Sequence, residues 1–204
     1  DIMYKDLNGD GKIDNGGNKY DDMGDMKKIG NNTPRYLFGL DLNADYKGFD
    51  FRAFFQGVMK RDYWQGSAYF WGATSLWHST GFVEHADYFR AEASNDLPAN
   101  LNAYYPRPVF DSSKNRQKQT AYLQSAAYIR LKNVQLGYTL PANLTHKFYV
   151  SKLRVFVSGE NLWTGTSLAN MFDPETIGGG DDTDKNGNAY PLSKTISFGI
   201  SVTL

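Results

Sequence analysis

Apolar and polar residues alternate one by one along the last stretch of the chain, from Thr195 to Leu204. Its even positions are all apolar, and its odd positions carry only Thr, Ser or Gly. Because successive side chains of a β-strand point to opposite faces, this pattern predicts a strand with one apolar and one small, polar face. A strand of about ten residues suits the end of a soluble sandwich, and it also suits the lipid-facing wall of an outer-membrane barrel.

The same alternation predicts four earlier strands. In one of them the apolar positions change phase, from Ile129 and Leu131 to Val134 and Leu136, which predicts a β-bulge near Lys132 and Asn133. The two-residue turn Lys47–Gly48 makes the first pair a hairpin. The predicted strands are Arg35–Tyr46, Phe49–Gly57, Tyr128–Tyr138 and Leu153–Asn161.

Long and short connections alternate along the chain between these strands. Long loops on one end of the strands and short turns on the other are typical of outer-membrane barrels and not of compact sandwiches. Short helices are predicted in the second long connection, around Ser67–Trp77 and Glu84–Ala93. Its many aromatic residues suit stacking on sugar rings, contact with a partner protein, or a self-packed aromatic core. The long connections are Asp6–Pro34, Lys60–Gln124 and Trp163–Pro191, and the short ones are Lys47–Gly48 and Pro141–Ser151.

The amino-acid composition argues against several classes of function for this chain. The 22 basic and 22 acidic residues give no net charge, so we do not expect the chain to bind nucleic acid through a broadly basic surface. Cysteine is absent, which excludes disulfides and thiolate chemistry within the chain. No apolar run is long enough for a membrane helix, and the first residues do not resemble a signal peptide. No paired carboxylates or triad stand out, so we expect a protein that is not an enzyme.

The first long connection contains the spacing of a calcium-binding loop. Side-chain oxygens fall at loop positions 1, 3, 5 and 9, a glycine stands at position 6, and a backbone carbonyl is available at position 7. The acidic residue usual at position 12 is replaced by Gly17, so Asp21, Asp22 or Asp25 would have to complete the site. The alternative is a polar turn that needs no ion. The predicted ligands in the loop are Asp6, Asn8, Asp10, Lys12 (carbonyl) and Asp14. A weaker repeat of the spacing begins at Asp182 and ends at Tyr190.

Several strings together resemble the late barrel strands of the SusC/RagA family of TonB-linked outer-membrane transporters. They follow the order of the family over nearly the whole chain: Tyr4–Asp14, Pro34–Tyr36, Asp45–Phe51, Phe55–Gly57, Tyr128–Pro141, Ser158–Thr164, Phe172–Glu175 and Tyr190–Thr195. Family members commonly carry an acidic residue just before Arg-x-x-Ile-Gly. By this resemblance Asp25 is the expected distant calcium ligand, displaced by an insertion after Asp14.

The resemblance implies an all-β fold: about five or six antiparallel strands at the C-terminal end of a large transmembrane TonB-dependent barrel with long extracellular loops. Residues 1–204 would all belong to the barrel domain, with the plug and the earlier strands outside this chain. It further implies an outer-membrane channel of Bacteroidota that imports oligosaccharides or peptides, with a SusD-like surface lipoprotein and TonB as partners. A secreted, calcium-stabilised, carbohydrate-binding β-sandwich is the alternative.

Overall fold

A computed structural model describes residues 3–72, 81–94, 96–178 and 189–204. Five antiparallel strands form one sheet, in the order β1 (Arg35–Tyr46), β2 (Phe49–Lys60), β5 (Tyr128–Thr139), β6 (Lys152–Thr166) and β7 (Thr195–Thr203). Two short strands, β3 (Asp62–Trp64) and β4 (Leu123–Ser125), pair separately. All five strands predicted from the alternation are present, and β3 and β4 are additional.

The helices are short. They are α1 (Ala68–Trp71) and α2 (Ala142–Thr145), with 3-10 turns at Val83–Ala86 and His146–Phe148. The predicted helix at Ser67–Trp77 is therefore confirmed only at its start, since residues 73–80 lie outside the described part of the chain. The predicted helix at Glu84–Ala93 is wrong beyond a single turn. Arg90 instead exchanges backbone hydrogen bonds with Asn100, which draws this segment into an irregular extended pairing.

The chain divides into two compact units. The described residues between 32 and 63, 124 and 178, and 189 and 204 form the sheet unit, and those between 3 and 31 and between 64 and 123 form the loop unit. No helix in the described ranges is long and apolar enough to cross a membrane.

The hairpin turn and the bulge occur where the sequence predicts them. Lys47 and Gly48 both have positive φ, 45° and 88°, which is the combination that a tight two-residue hairpin turn requires. The register of β5 shifts against both of its neighbours at Lys132, between Leu131 and Asn133. The extra residue at Lys132 explains the change of phase in the sequence, because it moves the apolar positions from odd to even numbers while the face stays the same.

Candidate functional site

One face of the sheet is apolar across all five strands. Strand pairing aligns its side chains in rows that cross the sheet, with one residue from each strand. One row contains Ala44, Phe51, Leu136, Val157 and Phe198. Another row contains Tyr46, Phe49, Tyr138, Val155 and Ile200. On β7 this face is open, with Phe198 83% and Ile200 71% exposed. Monomeric soluble proteins rarely expose an apolar surface this continuous, and such a surface marks a contact with a partner protein or a membrane.

The opposite face is polar and lined by small, amide and charged side chains. One row runs Asn43, Arg52, Gln135, Ser158, Ser197. Arg52 also binds the carboxylate of Asp41 through two nitrogens, at 2.6 and 3.1 Å, with both side chains exposed. The sheet therefore has one apolar and one polar face, as the strand pattern predicts.

Two glycines on the polar face make room for larger side chains from neighbouring strands. The guanidinium of Arg154 reaches from β6 over Gly137 to the carboxylate of Asp50 on β2, donating through Nε at 2.8 Å and through a second nitrogen. The ring of Phe156 lies over Gly199, where any Cβ would overlap it, and Arg154 stacks 4.7 Å above that ring. These contacts keep the polar face closely packed near the hairpin turn.

A buried ionic network joins β5 to the connection that follows β6. Arg130 donates to Asp173 at 2.6 Å and to Glu175 at 3.0 Å, and Lys132 donates to Glu175 at 2.9 Å. The side chains of Arg130 and Asp173 are 4% and 6% exposed. Burial raises the pKa of Asp173, but hydrogen bonds from Arg130 and from the backbone N–H groups of Glu175 and Leu192 lower it further than burial raises it, so the carboxylate stays charged.

Sequence reasoning missed this network. The string Phe172–Glu175 marks the resemblance, but its partners lie more than 40 residues away, Arg130 being separated from Asp173 by 43 positions. A local signal for the network was present in the sequence. Arg130 and Lys132 lie at the predicted bulge, and bulges often redirect side chains at functional sites.

The residues predicted to bind calcium lie together in one loop, each held by hydrogen bonds. The carboxylate of Asp6 accepts from the N–H groups of Gly9 at 2.6 Å and Gly11 at 2.9 Å, and Asp10 accepts from Lys12 at 2.8 Å. Asn8 accepts from the N–H of Asp10 at 3.0 Å. Local bonds of this kind fold the loop around its acidic residues.

Asp25 returns to this loop across the insertion. Its two carboxylate oxygens accept from the N–H of Leu7 at 2.5 Å and of Asp14 at 3.0 Å. These two bonds hold the pKa of Asp25 below its usual value, so the group is negatively charged at neutral pH. Among the described residues no three His, Cys, Asp or Glu side chains converge as a metal site. The second candidate loop, Asp182–Tyr190, lies outside the described residues except at its end.

The aromatic residues of the loop unit pack mainly on one another. Phe70 is fully buried, and its ring meets those of Trp71 at 5.0 Å and Tyr105 at 5.4 Å between centroids. Burial, with smaller contributions from Tyr104 and nearby acidic groups, raises the pKa of Tyr105 to about 12. The sequence left three roles open for these aromatic residues, and the contacts support the self-packed core. Tyr69 and Phe82 stack at the exposed edge of this core.

Comparison with known proteins finds relatives among TonB-dependent receptors. No protein-family profile matches the chain. Two TonB-dependent receptors of Formosa agariphila, P3 and P26, are each 28% identical over 98% of the chain, which covers 18% and 19% of their lengths. The chain thus spans less than a fifth of the curated relatives that it matches.

Solved structures agree with the sequence relatives. The structure of the RagAB peptide transporter superposes with a TM-score of 0.54 at 26% identity, over 84% of this chain and 17% of that one. The RagAB peptide importer in its closed-closed state gives a TM-score of 0.57 at 24% identity, over 90% of this chain and 18% of that one. The resemblance noted from the sequence strings is therefore confirmed by independent sequence and fold matches.

Proposed function

The chain is a relative of the SusC/RagA-type TonB-dependent outer-membrane transporters and fits a C-terminal part of their barrel, and on this basis we propose that it forms part of the wall of a nutrient importer. One observation carries the proposal: five strands align an exposed apolar face against a polar face in continuous rows. In an outer-membrane barrel the apolar face would meet lipid and the polar face the lumen.

The sheet has two edges, β1 and β7, each paired on one side only within the described residues. Unpaired backbone groups cannot remain in hydrocarbon, since each costs several kcal/mol. We infer that further strands of the same barrel pair with β1 and β7 and close the wall.

We propose oligosaccharides or peptides as the substrates, a SusD-like surface lipoprotein as the lid, and TonB as the source of energy through the plug. Support comes from relatives that are TonB-dependent receptors and from structural neighbours described as a RagAB peptide importer. The proposed role is transport without catalysis.

We also propose that a calcium ion occupies the loop of Asp6, Asn8, Asp10, Lys12 and Asp14, with Asp25 near it. Hard Ca²⁺ needs six to eight oxygen ligands, and this segment supplies carboxylate, amide and carbonyl oxygens in the required spacing. Each carboxylate oxygen of Asp6 accepts one N–H bond and so keeps a lone pair for a cation. The ion would be structural, because it would offset repulsion among carboxylates that are close together along the loop.

The competing function, a secreted calcium-stabilised carbohydrate-binding sandwich, is disfavoured by the apolar face. A sandwich buries that face against a second sheet, whereas Phe198, Ile200 and Ile196 are all mainly exposed.

The proposal is tested on the full-length protein that contains this chain. We expect it to fractionate with the outer membrane, to need detergent for solubility, and to migrate differently on gels before and after heating. Deleting its gene should abolish growth on, or uptake of, labelled oligosaccharides or peptides supplied as single substrates. A full-length protein that stays monodisperse in plain buffer would contradict the barrel assignment.

A further inference from the structure

The polar face of the sheet carries a second layer of ordered chain near its Arg130 row. Residues 168–177, called here the inner segment, follow β6 and contain neither helix nor strand. Three apolar side chains of the inner segment are nevertheless buried: Leu168, Phe172 and Ile177. A connection that buries its apolar residues belongs to the packed structure, unlike a solvated loop.

Arg130 holds the middle of the inner segment. This arginine lies on the polar face, because pairing places it beside Gln56 of β2 and Thr164 of β6. Its guanidinium uses all three nitrogens on fixed partners: Nε donates to Thr164 at 2.8 Å, and the other two donate to Glu175 and Asp173.

Arg61 holds the end of the inner segment. It is a buried arginine that donates to the carbonyl of Gly178 at 3.1 Å and to that of Asn32 at 3.1 Å. Asp173 in addition accepts from the N–H of Leu192 at 3.0 Å, which links the inner segment to the approach to β7. The segment is thus fixed at its middle and at its end.

The charges of the network cancel. Arg130 and Lys132 supply two positive charges, and Asp173 and Glu175 supply two negative ones. A neutral, closed network of charge-assisted hydrogen bonds serves to anchor the chain, since no net charge remains to attract a ligand.

We propose that the inner segment is a fixed constriction that limits the size of solutes reaching the polar face beyond it, with Arg130 as its positioning residue. The inference rests on the proposed function, in which the polar face lines a lumen. A segment that packs against that face narrows the lumen, and this one is bonded through Arg130 at the end of β5 and β6 nearest the long connections. Arg130 and Lys132, two residues apart on β5, both donate to the carboxylate of Glu175 in this segment.

The first experiment measures anchoring in the purified full-length protein. Any cysteines outside this chain are first replaced by serine; Ile177→Cys then introduces a single thiol into a stretch that has none of its own, and the rate of its reaction with a small maleimide is followed. We expect Arg130→Met to raise this rate at least about tenfold, because a buried anchor is lost. Arg52→Met is the matched control: it removes an arginine of the same face that binds Asp41 and no residue of the inner segment, so the rate should not change. Equal rates in all three backgrounds would overturn the anchoring role.

The second experiment measures access in intact cells. Ser158→Cys places a thiol on the polar face of β6, and membrane-impermeant maleimides of increasing size are added outside. We expect a size limit for labelling that rises in Arg130→Met and stays unchanged in Arg52→Met. Faster labelling of the thiol at position 177 with an unchanged size limit at position 158 would refute the constriction while leaving the barrel intact.

One outcome would overturn the proposed function together with this inference. If even the smallest impermeant probe fails to reach the thiol at position 158 in every background, the lumen assignment itself is wrong and the constriction falls with it. If Arg130→Met does not reach the membrane, Lys132→Met replaces it, because Lys132 contributes only the single bond to Glu175. That variant should raise the size limit by a smaller step, and no change in it would count against the proposal.

Discussion

Asp50 of β2 and Arg154 of β6 form an ion pair across the strand that lies between them, passing over Gly137 of β5. Neighbouring strands ordinarily supply the partners of a cross-strand pair. Here the pair skips a strand, and it can do so because the position between the two side chains has no Cβ. A Cβ at Gly137 would overlap the nitrogen of Arg154 and the oxygen of Asp50.

Replacing Gly137 by valine should therefore break the ion pair or distort β5. Forcing extra methyl groups into a closely packed site costs about 1–3 kcal/mol, so we expect a lower free energy of unfolding, measured on the full-length protein in detergent or in lipid vesicles. Ser197→Val is the control, since it places the same valine side chain on the same face at an exposed position. If both variants unfold alike, Gly137 is not required for the crossing.

Local patterns predicted much of this fold, and they did so for a physical reason. Side chains alternate with period 2, so Phe198 and Ser197 could be assigned to opposite faces, and the phase change around Lys132 could be read as a bulge. The crossing above Gly137 and the pair Arg130–Asp173 could not be predicted, because they depend on which strands become neighbours and on a connection that folds back. Sequence spacing carries no direct information about such contacts. The extended pairing at Arg90 overrode a local helical preference in the same way.

Phe198 and Ser197 provide a direct test of which face meets lipid. Arginine on the lipid face of an outer-membrane strand costs up to about 2–4 kcal/mol, less near the interfaces, whereas lumen positions tolerate it. We expect Phe198→Arg to reduce the heat-modifiable, folded fraction of the full-length protein, and Ser197→Arg to leave it unchanged. Equal tolerance of the two substitutions would argue that Phe198 faces water, and the membrane assignment would be wrong.

Arg130 should be far more important for stability than Arg52, although both bind aspartate. Removing one partner of a buried ion pair leaves the other charge unpaired and costs about 3–5 kcal/mol. The Arg52–Asp41 pair has side chains 55% and 37% exposed, and pairs in water contribute little. Chemical unfolding of Arg130→Met and Arg52→Met should show a large loss for the first and none that is measurable for the second. Comparable losses would mean that the network is not the anchor that its burial indicates.

The network also predicts how stability depends on pH. The pKa of Asp173 is lower in the folded protein than in the unfolded chain, so the folded state favours the charged form. Its contribution is present above the unfolded value, about 3.9, and is lost as pH falls through the lower folded value. We expect Asp173→Asn to flatten the acid limb of the stability curve from about pH 3.9 downward, the range in which the contribution of Asp173 is lost. Asp21→Asn, at an exposed position in the first loop, should leave the curve unchanged, and an equally steep acid limb in Asp173→Asn would contradict the assignment.

Calcium in the first loop is open to a test that does not depend on transport. The substitutions Asp10→Asn and Asp25→Asn each remove a negatively charged oxygen from the loop. Each variant should therefore bind less calcium than the unaltered full-length protein, as measured after dialysis. The loss should also speed protease cleavage within residues 6–25, and EDTA should produce the same cleavage in the unaltered protein. Asp45→Asn is the control, because it removes an exposed carboxylate that lies in β1, outside the first loop. Since Asp25 already binds the N–H groups of Leu7 and Asp14, cleavage that rises in Asp25→Asn while metal content and EDTA sensitivity stay constant would assign Asp25 a purely structural role. If the unaltered protein also holds no calcium after dialysis and EDTA does not change its cleavage, the loop is a polar turn that needs no ion.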